Sequence, residues 1–287
     1  MRGEVLTDEL WVRLEPLIPV RPRRFRHPGR RHADDRAAVE GILYVVRTGI
    51  GWNRLPIALF GASGATCWRR STEWHEAGVW RRLHERLLAG LRAAGLLDLS
   101  AMLVDSTRLR ALGKGDHTGP GPVDRRKPGS KHHLITDATG VPLAITLTGG
   151  HRNEVTQLIP LIDAVPPIRG VVGTPRRRPR RLYADRGYDH DKYRRLVRAH
   201  GITPVITPVI TPVITPVITP VIAPVIARRG VEHGSGLGRV RWPVERTFAW
   251  LKGFRRLRVR TERRADIHQA MLSLACSIIC LRKLILN

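Results

Sequence analysis

Apolar residues recur at helical spacing through the first third of the chain. Leu10, Leu14 and Leu17 mark a first helix, which Thr7 or Asp8 can cap and Pro19 ends. Val39, Ile42, Leu43 and Val46 mark a second, starting at Asp34 or Asp35 and stopping at Gly49. Ser63 can cap a third helix through Trp68 and Trp74. A short turn, Ala77-Gly78-Val79, precedes a fourth helix from Trp80 to about Ala94. Residues 21–33 are arginine-rich and read as a loop. Two helices about a Gly-containing turn fit a helix-turn-helix, and they fit an ordinary helical hairpin equally well.

After Leu97 the period changes. Residues 100–107, SAMLVDST, are a short apolar run ending in the carboxylate of Asp105. Residues 131–140 and 141–150 alternate about Thr139-Gly140, which predicts a hairpin. Residues 154–165 predict a helix with Pro160 near an end or at a kink. A Pro/Arg-rich loop, 166–180, leads to a second short strand ending in Asp185. Residues 190–201 predict a helix closed by Gly201, and 241–254 and 264–285 predict two more. Strands interleaved with helices make this a mixed α/β domain. The expected division is a helical region over 1–96 and an α/β domain over 97–287.

Between the last of those elements lies a repeat. The word Ile-Thr-Pro-Val occurs five times from Ile202, and a sixth copy has Ala223 in place of Thr. Prolines at 204, 208, 212, 216, 220 and 224 forbid an α-helix. In a strand they restrict the segment to a sheet edge. The 202–225 insertion would span ~75 Å as polyproline II, against about 5–6 residues for a typical strand. Most copies must therefore leave the sheet, and either the first or the last can serve as its strand. The copies read as an in-frame expansion, with a partner-binding arm as the alternative.

Composition adds a partner class. Fifty Lys and Arg against 24 Asp and Glu give a net charge of +26. The basic residues cluster at 21–31, 125–131, 176–181 and 255–264. Such a field recruits polyanions, and nucleic acid is the expected partner. Cys67, Cys276 and Cys280 have neither a disulfide framework nor a zinc spacing, and read as buried thiols. The opening MRGEVLTDELW lacks the apolar run of a signal peptide. Arg282 and Lys283 interrupt the final apolar run, which reads as a buried helix rather than a membrane span. The expected location is the cytoplasm, on the nucleoid when bound to DNA.

The candidate chemistry is acidic. Asp105 and Asp185 close predicted strands, and Glu245 lies near the start of a predicted helix. Such acids can converge at one sheet edge, although Asp at a strand end is also a common turn or cap residue. Three oxygen donors suit Mg²⁺. Two ions roughly 4 Å apart would serve in-line phosphoryl transfer. Glu245 and Lys252 share one helix face two turns apart. Pro243 fits best at a first helical position, which leaves Arg241 just outside and Glu245 within reach of the helix dipole. His132, His133 and His151 are lesser candidates for a DNA contact, and His151 can equally cap a turn.

Three motifs carry a resemblance: Asp105-Ser-Thr, Asp185-Arg-Gly-Tyr188, and Arg241-x3-Glu245-x6-Lys252 within RWPVERTFAWL. Together they resemble the DDE transposases of bacterial insertion sequences, in the superfamily uniting families four and five, with a family-five-like pattern. The resemblance covers nearly the whole chain. It implies a ribonuclease-H-like catalytic domain preceded by a helical DNA-binding half. Asp105, Asp185 and Glu245 would be the catalytic, metal-binding triad. Mg²⁺ would be the cofactor, with two ions bound and Mn²⁺ able to substitute. Arg241, Lys252, Arg255, Arg256, Arg69 and Arg70 are the candidate DNA contacts. Double-stranded DNA, as element ends and target, would be the partner of a homodimer, with no membrane involved. The implied reaction is 3′-end cleavage and strand transfer at terminal inverted repeats; the alternative is a decayed copy that only binds DNA. One position departs from the pattern: Gly238 stands where the signature has Tyr.

Overall fold

The computed structural model describes residues 5–21, 26, 32–121, 125–200, 223–226 and 237–286 of the 287. Local signals place the first helices where the pattern predicts them. Helix α1 (Asp8–Leu14) is capped by Thr7 and α2 (Asp35–Thr48) by Asp34, whose carboxylate accepts from Ala37 N at 2.9 Å. Gly49 ends α2 with φ of 77°, the left-handed region that glycine reaches without strain. A one-turn helix, α3 (Ile57–Phe60), follows. Ser63 caps α4 (Gly64–Glu76), and Gly78 turns the chain into α5 (Val79–Ala93). Trp74 and Trp80 meet edge to face at 5.7 Å across that turn, and the Trp80 indole donates to Ser71 O. This packing fixes the α4–α5 pair.

Among the described residues the sheet holds six strands: β1 (Ala101–Arg110), β2 (Gly119–Pro120), β3 (Pro128–Asp137), β4 (Pro142–Gly149), β5 (Arg181–Ala184) and β6 (Ala223–Ile226). Strand β3 pairs antiparallel with β1 on one side and with β2 and β4 on the other. Strands β5 and β6 continue beyond β1 in parallel. The result is a mixed sheet flanked by helices, the ribonuclease-H-like class that the resemblance implies.

The expected end of β1 at Asp105 is corrected. Pairing of Asp105 with Leu134 through Arg110 with Gly129 carries the strand five residues further, so Asp105 lies mid-strand. The hairpin turn does fall at Thr139-Gly140. Gly140 has φ of 89°, and a Cβ there would sit 2.8 Å from Pro243 O. Between the edge strands, α6 (Leu158–Ala164) holds Pro160 in its first turn, and α7 (Asp191–Ala199) precedes the repeat.

The repeat supplies β6 from its last copy. Pro224 stands opposite Leu182 on the strand that is outermost among the described residues, the kind of position to which the prolines restrict the segment. The earlier copies, and Gly201, lie outside the described residues. Loop-closure entropy changes by only about 0.6 kcal/mol per doubling of length. Deleting copies while keeping Ala223–Ile226 should therefore leave the melting temperature within about 2 °C of the parent. A drop of 10 °C in a thermal scan would show that the earlier copies pack on the fold.

Helix α8 (Leu237–Gly253) begins before the expected start and contains Pro243 in its interior. Arg241 is thus inside the helix, and Glu245 is past its first turns. The dipole argument for Glu245 lapses, since that effect fades within a turn. Tertiary bonds hold this segment in place. Arg246 donates to Thr139 O at 2.5 Å, and Thr247 Oγ1 donates to Gly140 O at 2.5 Å. Helix α9 (Ala265–Ile285) is long and apolar enough to cross a membrane by length and composition, yet 72% of its apolar window is buried. It packs on α4, α5 and β4, so one continuous core runs from Leu6 to Leu281.

Candidate active site

Parallel pairing brings the two aspartates together. Leu103 of β1 is in register with Tyr183 of β5, so Asp105 lies two residues further along β1 and Asp185 just past the end of β5 on the neighbouring strand. Asp105 is largely buried, its Oδ1 accepting from Ser106 N at 2.8 Å and its Oδ2 lying 3.2 Å from Arg241 Nη2. Asp185 Oδ1 accepts from Gly187 N at 2.8 Å in the short turn after β5. Glu245 is exposed one turn past Arg241 on α8.

Burial pushes the Asp105 carboxyl up to about 6. Arg241 and the Ser106 N–H pull it down, while the charges of Asp185 and Glu245 push it up. All three acids therefore share one electrostatic neighbourhood. Among the described residues, however, no three His, Cys, Asp or Glu side chains stand close enough to hold a metal ion. Arg241 takes one oxygen of Asp105 instead. The donor set, three carboxylates and no sulfur or nitrogen, has the chemistry of a hard divalent cation site.

Tyr188 belongs to this site, although its motif carried no role for it. The turn Arg186–Tyr188 folds its ring back beside Ser106, and the ring is 1% exposed. Its hydroxyl lies beside the Ser106 side chain. Burial, then the Asp105 and Asp185 charges, hold its pKa well above the ordinary value, so it remains a neutral donor.

Beyond Asp105 on β1, Thr107 and Arg108 help to wall a cavity of about 510 Å³ with Lys252 and Arg258 of the α8 end. Three cations lining one cavity suit a phosphate backbone. His132 lies at its base, stacked on His268 with Nε2 atoms 2.9 Å apart, and burial holds it neutral. His133 bonds Thr148 Oγ1, and burial lowers it to about 4. His151 packs over Gly119 of β2, away from the acids.

The six basic candidates divide by exposure. Arg69, Lys252 and Arg255 are exposed, and Arg241 faces Asp105. Arg70 is 3% exposed and paired with Asp35 at 3.1 Å. Arg256 is buried against Glu262, with Nε and Nη2 at 2.8 and 2.6 Å from Oε1, and donates to the Gly49 and Ile50 carbonyls. Those two guanidinium groups hold the fold together from within and do not face a DNA surface.

Comparison with known proteins matches residues 97–280 to the family described as "Transposase DDE domain" and residues 6–84 to that described as "Putative transposase of IS4/5 family". The chain is 58% identical over 163 residues to "Putative transposase for insertion sequence element IS402" of Burkholderia cepacia, covering 57% of the chain and 68% of that protein. It is 49% identical over 129 residues to "Insertion element IS402 uncharacterized 16.2 kDa protein" of the same organism, covering 45% of the chain and 88% of that protein. No solved structure matches.

Proposed function

The chain belongs to the DDE transposases of the IS4/5 family, and we propose that it cuts the 3′ ends of an insertion sequence and joins them to target DNA. The observation that carries this reading is the register of Asp105 beside Asp185, with Glu245 acting on the same carboxyl and a cationic cavity alongside. Asp105, Asp185 and Glu245 would hold Mg²⁺, as two ions, with Mn²⁺ as a substitute. The chemistry such ions would supply when bound is activation of the attacking oxygen and neutralisation of charge on the leaving one.

The chain's own groups do the positioning. Lys252, Arg108 and Arg258 grip backbone phosphates and hold the scissile bond in line with the acids. Arg241 leaves Asp105 and turns to DNA, which frees the carboxylate. The Tyr188 hydroxyl stays neutral beside Ser106 and adds no charge to the acid cluster. The helical region over 1–96, with Arg69 exposed, recognises the terminal inverted repeats, and two protomers bridge two ends. The place of action is the cytoplasm.

A second reading, a decayed copy that only occupies DNA ends, draws on the Arg241–Asp105 pair and on Gly238. Labelled duplex carrying the element's end, incubated with the full chain and Mg²⁺ or Mn²⁺, separates the two. The catalytic reading expects a 3′ nick that Glu245→Gln loses. Nicking undiminished in Glu245→Gln sinks the triad assignment. Specific binding with no nick in either metal establishes the decayed copy.

A further inference from the structure

Trp242, Arg246 and Trp250 follow one another at one-turn intervals along α8. The Arg246 guanidinium carbon lies 4.3 Å from the Trp242 ring centre and 4.6 Å from that of Trp250. The two indoles are 50% and 42% exposed. Arg246 is tied from below to Thr139 O, so the column is held in place before anything binds. Its Nε is buried with no hydrogen-bond partner. Neither ring supports the core, and neither belongs to the acid cluster.

The column borders a cavity of about 370 Å³, within the ~300–1,000 Å³ of small-ligand sites. Trp250, Val141 and Ile279 give it apolar walls, and Arg246 and Arg282 add cations. An apolar protein surface seated there would have to desolvate both guanidinium groups. A double helix hides the faces of its bases and could offer only phosphates. A single strand offers flat π-faces to the indoles and phosphates to the arginines at once. The net charge of +26 favours that polyanion over neutral partners.

We propose that this face of α8 is a stacking platform for unpaired bases of single-stranded DNA. One base lodges beside Trp250, with its flanking phosphates on Arg246 and Arg282. The proposal rests on the reading that the chain acts on DNA ends. Glu245 immediately precedes Arg246, so the platform and the third acid share helix α8.

The test uses the full-length chain and short oligonucleotides containing 2-aminopurine, whose emission is quenched when it stacks on indole. Single-stranded affinity should fall by about 5- to 160-fold in Trp250→Ala, the range for one stacked base, and quenching should be lost. Trp250→Phe should restore most of both. Affinity for a duplex of the same length should change by less than about twofold, with the same salt dependence. Trp242→Ala, at the more exposed ring, gives the second variant should Trp250→Ala unfold. Unchanged single-strand affinity and quenching in both variants overturns the proposal. So does an equal loss on duplex and single strand. Self-association that vanishes in Trp250→Ala, with single-strand binding intact, would assign the face to a second copy of the chain. The platform and the triad fail separately: Glu245→Gln should lose metal-dependent nicking and keep single-strand binding and quenching.

Discussion

Asp105→Asn should abolish metal-dependent nicking, by at least about 10³-fold, and at the same time raise the melting temperature at pH 7.5 without divalent cation. The first effect follows from loss of a charged ligand at the centre of the proposed triad. The second follows from the cost of keeping this carboxylate ionised. Its folded-state pKa of about 6 stands above the ordinary 3.8, through burial first and the Asp185 and Glu245 charges after. A shift of that size corresponds to about 3 kcal/mol at most, and loss of the Arg241 pair offsets part of it. A gain of about 1–2 kcal/mol, or roughly 2–8 °C, is expected.

The pH dependence has a definite sign. Between about pH 4 and 6 the folded chain binds a proton here that the unfolded chain does not. Wild-type stability from this group therefore falls as pH rises through that window. The advantage of Asp105→Asn should be full above about pH 6 and gone below about pH 4. Thermal scans of both proteins at pH 4, 5, 6 and 7.5 check it. An advantage that is absent at pH 7.5, or independent of pH, would show that Asp105 is not strained by burial.

Arg256→Ala should cost about 3–5 kcal/mol, because it leaves a buried carboxylate without its partner. At 2–4 °C per kcal/mol, that is a melting temperature lower by about 10 °C. Burial alone would push the Glu262 carboxyl up, but His268 and Arg256 outweigh it and bring it down to about 2. The pair's contribution is thus present above about pH 4.5 and lost as pH falls toward 2. The same side chain closes the carbonyl end of α2 by bonding Gly49 and Ile50, so its loss loosens the helical region as well as the α8–α9 connection.

Titration with duplex DNA over a range of salt separates this role from a phosphate contact. Measured on folded protein at low temperature, Arg256→Ala should keep the parent's slope of log affinity against log salt. Lys252→Ala should reduce that slope by about one. A reduced slope for Arg256→Ala would return that residue to the DNA surface.

The legible parts of the chain were those with local causes. Thr7, Asp34 and Ser63 cap helices because their oxygens reach an N–H two or three residues on. Gly140 marks a hairpin because a positive φ suits glycine. The prolines of the repeat exclude an interior strand wherever they fall. The motifs around Asp105, Asp185 and Glu245 declared a family before any geometry was known.

Distant partners decided the rest. Strand β1 outran Asp105 because Ser106 to Arg110 found β3 to pair with. Helix α8 kept Pro243 in its interior while its next turn was bonded to the hairpin carbonyls of Thr139 and Gly140. Arg69 and Arg70 are adjacent in sequence, yet one is exposed and the other is sealed against Asp35. Exposure and pKa depend on how much water the surrounding fold removes, and that is set by residues far apart along the chain. Capping, turn chemistry and proline act through the backbone within a few residues, so they could be read from sequence. Charge pairing and desolvation act through space, so only the tertiary structure could assign them.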